Sequence, residues 1–248
     1  MINSFFEVKN QTEDKAEIFI IGQIKSEKPW YEDGEESKDN YLRDFIKTMK
    51  DLKDVKNLDI HINSPGGALF AGMTMYNLLK QHNAYKKVYV DGSAASAAGI
   101  VALAGDEVII PKNAFLMMHK PILMASGNAN DLMKVINTLN TIEEGMLEVY
   151  YDNLKSEDDK ETIKQMVQDE TWLNGEKASE YFKNVKVSDE LKVIACSDFD
   201  FSCYNNIPDS LLRFIKNKSN NKESDYEKEI ENKKEIELLK AKLALELA

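Results

Sequence analysis

NLDIHINSPGGALFAGMTMYNLLKQH, residues 57–82, decides the fold. Leu58, Ile60 and Ile62 alternate with polar neighbours, the period of a strand with one buried face. Ser64-Pro65-Gly66-Gly67 ends that strand, and the spacing predicts a helix from there to about His82. It is apolar nearly all round and is therefore expected to be buried. The same unit recurs on both sides. Upstream, AEIFIIGQI (16–24) is β-branched and reads as a buried strand, a polar loop containing Pro29, Trp30 and Gly34 follows, and residues 40–52 carry apolar positions at helical spacing. Downstream, 87–90 reads as a strand, 96–103 as a small-residue helix, and 107–110 and 115–118 as short strands. The alternation predicts an α/β domain with a mainly parallel sheet and flanking helices.

From Asp131 to Leu154 apolar residues fall at 132, 135, 136, 139, 142, 146, 149 and 150. This is one stripe on a helix about 36 Å long at about 1.5 Å per residue, long enough to project from a domain and pack against something else. Residues 219–248 differ from the rest: eight acids, six bases, no Gly or Pro, and about two heptads of a- and d-like spacing at Ile236, Leu239 and Leu243. A solvated, partly frayed helix and a short self-association helix both fit this pattern. The expected organisation is an N-terminal segment (1–15), a domain (16–215) and a charged linker with helical tail (216–248).

Composition excludes several function classes. Lys and Arg number 32 against 43 Asp and Glu, a formal charge of −11. The tail accounts for −2 of it, so the acidity belongs to the body. Only Arg43 and Arg213 are arginines, which leaves few forked phosphate contacts. Neither a nucleic-acid nor an anionic-membrane partner is expected. Cys196 and Cys203 form no disulfide framework, and no His or Cys spacing supports a metal site. No cofactor is implied. The first residues lack the basic and apolar regions of a secretion signal, and the chain is expected to be soluble and cytoplasmic.

Three places combine reactive side chains with unusual backbone. In Asn63-Ser64-Pro65-Gly66-Gly67, glycines at a strand-to-helix turn leave N–H groups open to a developing oxyanion, although most Pro-Gly turns are only turns. In Gly92-Ser93-Ala94-Ala95-Ser96-Ala97, a serine at a strand–helix junction suits a nucleophile, with the Ala97 amide beside it. Ser93 and Ser96 read equally well as helix caps. His119 ends an apolar strand just before Pro121, where a sheet delivers residues to a cleft. It is a better general base than His61, which sits on a strand face, or His82, which ends a helix.

Taken in order, NSPGG (63–67), GSAAS (92–96) and MMHKP (117–121), with Gly127-Asn128-Ala129, Asp131, Glu170-Thr171-Trp172-Leu173 and Glu176-Lys177-Ala178, resemble the Clp-type serine proteases, the ClpP family, over roughly residues 16–195. The resemblance implies the ClpP/crotonase-like fold, with Ser96 as nucleophile, His119 as base, and the Gly67 and Ala97 amides as oxyanion hole. The family's acid is normally aspartate. Matching Trp172-Leu173 and Ala178 puts Glu170 there, with Asp169 adjacent as the alternative. Residues Ile122, Leu123, Met124, Ala125 and Ser126 resemble the family's strand that pairs with substrate, and the helix after Asp131 its handle helix. Ring-shaped homo-oligomers, heptamers or stacked heptamers, are implied, with a protein or peptide substrate and a possible Clp ATPase partner.

The loop around Pro29-Trp30, the VYVDG (88–92) and GDEVIIP (105–111) stretches, the Glu-Thr-Trp segment and the charged tail are more similar to the phage-encoded branch associated with capsid (prohead) maturation. That implies capsid or scaffold protein as substrate. A housekeeping Clp subunit, a crotonase-fold acyl-CoA enzyme and a noncatalytic scaffold component remain as alternatives.

Overall fold

The computed structural model describes residues 5–27, 40–189, 204 and 206–208. The chain divides into two compact units, Met1–Asn206 and Ile207–Ala248, and of the second only Ile207 and Pro208 are described. The expected helical tail (216–248) and both cysteines lie outside the described residues, as does most of the loop expected around Pro29-Trp30.

The first unit runs β1 (Phe6–Lys9), β2 (Lys15–Ile21), α1 (Leu42–Asp51), β3 (Asn57–Ser64), α2 (Leu69–Gln81), β4 (Tyr85–Ala95), α3 (Ala97–Ala102), β5 (Glu107–Pro111), β6 (Phe115–Met118), α4 (Ala129–Asp152), α5 (Lys160–Gln168), β7 (Thr171–Asn174), α6 (Gly175–Tyr181) and β8 (Val185–Ser188). The main sheet is ordered β1-β2-β3-β4-β5-β8. All its pairings are parallel except β1 with β2, so the expected α/β architecture is present. Alternation builds the core directly. Ile18 is level with Ile60, Ile60 with Val88 and Val88 with Val108, one row across four strands. All four side chains are fully buried. At about 1.5–3 kcal/mol for each fully buried aliphatic side chain, such rows supply most of what holds the sheet.

β4 outruns the strand expected at 87–90 because it has two partners in succession. Lys87–Tyr89 pair with β5, while Ser93–Ala95 pair with β6. The sheet forks between them, and β6 continues into antiparallel β7. Small side chains at Gly92–Ala95 let α3 and β6 approach closely. Phe6–Lys9, within the segment set apart as N-terminal, adds the antiparallel edge strand β1.

The long helix is present as α4, with Asn128 capping the amides of Asn130 and Asp131. Its second half is buried through Met146, Leu147, Val149 and Tyr150, whereas Leu132, Met133 and Ile136 in its first half are exposed. The stripe is thus half used within one chain. No described helix is long and apolar enough to cross a membrane.

Candidate active site

Register alone aligns the three reactive residues. Ser96 directly follows β4, which pairs with β6 through Ala95↔Met117, and the Ser96 amide donates to the Met117 carbonyl at 2.9 Å. His119 directly follows β6. β6 pairs with β7 through Met117↔Trp172 and Met118↔Thr171, so the next opposed pair is His119 and Glu170. Asp169 falls one position out of register. Three neighbouring strand ends therefore present serine, histidine and glutamate at one edge of the fork, as open α/β sheets do at their carboxyl ends.

The contacts agree. His119 Nε2 lies 2.7 Å from Ser96 Oγ. Ser96 has φ 54° and ψ −125° and makes no side-chain cap bond to α3, which it precedes. Left-handed backbone at a non-glycine residue is costly, and here it turns the hydroxyl toward the histidine. The capping alternative does not describe Ser96, and Ser93 lies inside β4. Glu170 is also left-handed (φ 51°) and 9% exposed. Burial pulls the His119 imidazole below its ordinary value, and the Glu170 charge pulls it back up. The Asp169 carboxylate instead accepts both bonds at 2.9 Å from Gln165 Nε2 on its own helix.

NSPGG divides its work. Ser64 Oγ donates to the Gly22 carbonyl (2.6 Å) and accepts from the Gly66 amide (3.1 Å), while Asn63 Oδ1 accepts from the Ser93 amide (3.2 Å). These bonds fix the turn against the end of β2 on one side and β4 on the other. Gly66 (φ 92°) lies so close to the nucleophile that a Cβ there would be 2.8 Å from Ser96 Cβ and 3.1 Å from Ala97 N. Among the described residues, neither the Gly67 nor the Ala97 amide donates in the backbone hydrogen bonds of the loops. The Ala97 amide adjoins Ser96 in sequence, and Gly67 follows the glycine that packs against that serine, positions from which N–H donors can serve a developing oxyanion.

The other histidines are structural. His61 Nδ1 pairs with Asp91 at 3.0 Å, and its ring stacks between Phe19 and Tyr89. His82 Nδ1 accepts from the Ala84 amide, so Nε2 carries the proton toward the Leu52 carbonyl at 3.1 Å. No group of three or more His, Cys, Asp or Glu placed to hold a metal occurs among the described residues.

Residues 122–126, expected to pair with substrate, form no strand in the chain alone. Ile122, Leu123, Met124, Ala125 and Ser126 have no regular structure and are exposed, Met124 at 96%. A strand exists only where a neighbour completes its ladder, and none of the described strands pairs with this segment. A cleft of about 530 Å³ lies beside it, lined by residues including His119, Lys120, Ile122, Glu170 and Asn206.

Two residues escaped the sequence reading. Tyr204 packs edge-on against His119 (5.3 Å between centroids) and Trp172 (5.9 Å), and its hydroxyl donates to the Pro65 carbonyl. The Asn206 amide donates to Glu170 Oε1 and its side chain to the Asp169 carbonyl, both at 2.7 Å. They sit in a mixed aromatic and polar stretch, DFDFSCYNNIP (198–208), with no motif, and no pattern in one sequence marks them.

The model of the Clp protease family matches residues 32–182, well over half the chain and including Ser96, His119 and Glu170. The chain belongs to the Clp protease family. Similar curated proteins are each named ATP-dependent Clp protease proteolytic subunit. That of Bacteroides thetaiotaomicron is 26% identical over 145 residues, 57% of this chain and 64% of the relative. That of Ligilactobacillus salivarius is 28% identical over 129 residues, 51% and 64%. That of Bacteroides fragilis is 26% identical over 145 residues, 57% and 69%. The match thus spans just under two thirds of the first two relatives' length. Tyr204 and Asn206 lie beyond the residues that the family model matches.

Proposed function

We propose that this Clp-family chain is a serine endopeptidase in which Ser96, His119 and Glu170 form the triad and the Gly67 and Ala97 amides the oxyanion hole. The observation that carries the reading is the 2.7 Å Ser96–His119 pair on a left-handed nucleophile. Ser96 Oγ attacks a peptide carbonyl as its proton passes to His119 Nε2, and the two amides stabilise the oxyanion. The resulting imidazolium is stabilised by Glu170 and protonates the leaving amine. Water activated by the same histidine then releases the acyl group from Ser96. A glutamate serves in place of aspartate in triads on other folds.

Residues 122–126 supply the substrate's strand partner: an extended peptide lying along this exposed segment acquires the ladder that the free chain lacks. The half-covered stripe of α4 supports assembly of copies into rings. The test is labelling by a fluorophosphonate probe, expected for the unaltered chain and lost in Ser96→Ala and His119→Ala. Acyl-CoA turnover that survives Ser96→Ala would instead support a crotonase-type reaction, and absence of labelling in the unaltered chain a noncatalytic role.

The substrate we propose is capsid or scaffold protein of a phage, on the basis of the glutamate at the acid position and the charged C-terminal residues 219–248. The relatives' names favour a second reading, a subunit fed by a Clp ATPase. Incubation with purified capsid protein, or with a Clp ATPase, ATP and an unfolded substrate, separates them by which mixture yields fragments. Discrete cleavage of capsid protein without ATP supports the first, and ATP-dependent degradation overturns it.

A further inference from the structure

Glu170 and His119 each meet a residue from near the C-terminal end of the first unit, beyond the family-matched segment. A buried carboxylate beside an imidazole needs hydrogen-bond donors and a wall to stay in place. The Asn206 amide supplies a 2.7 Å donor to Glu170 Oε1, and its side chain anchors on the neighbouring Asp169 carbonyl. Tyr204 places its ring edge-on to His119 and ties its hydroxyl to Pro65, one residue before Gly66. One short stretch thus touches the base, the acid and the glycine turn. We propose that Tyr204 and Asn206 are positioning residues, a strap that holds the His119 imidazole and the Glu170 carboxylate in working geometry. The proposal rests on the triad reading for its catalytic meaning, while its physical content concerns His119 and Glu170 themselves.

The strap acts on His119 in two opposite senses. The Asn206 N–H holds the Glu170 carboxylate beside His119, where its charge raises the His119 midpoint. The Tyr204 ring adds to the burial that lowers it. Among the described residues, the other groups near the imidazole are engaged elsewhere or neutral. Lys120 pairs with Glu143 of α4 at 3.1 Å, Asp169 with Gln165, and Ser96 carries no charge.

With only three histidines in the chain, the His119 ring is assignable by NMR through His119→Gln, and His61 and His82 report whether a variant remains folded. Asn206→Pro removes the N–H and is expected to move the His119 midpoint down by roughly half a pH unit or more. Tyr204→Ala uncovers the ring and is expected to move it up. Tyr204→Phe keeps the ring and stays nearer the unaltered value than Tyr204→Ala. Should Asn206→Pro fail to fold, Asn206→Ala loses the anchor alone and moves the midpoint down by less. Shifts of both residues' variants in one direction, or no shift in either, overturn the strap. Fluorophosphonate labelling of the same full-length variants is expected to fall at least about tenfold in Asn206→Pro. An unlabelled parent chain counts against the protease reading alone, because the titration still decides the strap.

Discussion

Gly66→Ala tests how the glycine turn positions the nucleophile. A Cβ on Gly66 would stand 2.6 Å from the Ala95 carbonyl oxygen and 2.8 Å from Ser96 Cβ, against the 3.4 Å at which ordinary contact begins. Neither neighbour is the movable end of a long side chain, so backbone must give way by about 0.6–0.8 Å. φ at Gly66 is 92°, a region that costs a non-glycine residue about 1–3 kcal/mol. Overpacking adds about 1–3 kcal/mol more. A loss on the order of 2–6 kcal/mol is large against the roughly 5–15 kcal/mol that holds a domain. Because a misplacement of about 1 Å costs about a hundredfold in rate, labelling of Ser96 is expected to fall about ten- to a hundredfold in whatever fraction stays folded. The assay is a thermal melt by circular dichroism, followed by probe labelling at a temperature where the variant is still folded. A folded Gly66→Ala chain that labels at the unaltered rate refutes the idea that contact across Gly66 sets the serine.

Three further outcomes follow from the same geometry. Burial lowers the His119 pKa, and His119 must be neutral to accept the serine proton. Labelling is therefore expected to persist below the ordinary histidine midpoint of about 6.5 and to fall only as pH drops through the lowered value, which a pH profile of the labelling rate reads directly. Glu170→Gln is expected to reduce peptide hydrolysis on the order of a thousandfold or more, as loss of the orienting charge does in other triads, whereas Asp169→Asn changes it by a few-fold at most. The reverse order in the hydrolysis rates would move the acid to Asp169. Replacing Leu132, Met133 and Ile136 together by glutamate puts charge on the uncovered half of α4. If that face joins copies of the chain, light scattering after gel filtration gives a smaller particle, and an unchanged mass means the copies meet elsewhere.

Much of the main sheet is legible because its periods are strict. Leu58, Ile60 and Ile62 announce β3 by alternation, and the β-branched run at 16–24 announces β2. The proposed nucleophile and base are legible because Ser96 and His119 are carried in ordered motifs. The fork in β4 is not, because alanine, serine and glycine at 92–95 carry no alternation and look like the start of a helix. Residues 122–126 are a different case: their expected strand partner is a substrate, and hydrogen-bond pairing is a property of two segments of which one sequence shows only one. For the proposed acid the sequence leaves two neighbours, and register through β6 and β7, a relation between segments over fifty residues apart, sets Glu170 opposite His119. Tyr204 and Asn206 escape for the same reason, since their meaning lies wholly in what the fold sets beside them.

The forked sheet places the proposed nucleophile and its two helpers on different strands. Ser96 directly follows β4 of the main sheet, whereas His119 and Glu170 stand at the facing ends of β6 and β7. Leu116, Met118 and Leu173 anchor those two strands in the same core as the main sheet, so packing beneath β6 and β7, and not only the residues at the site, sets the Ser96–His119 distance.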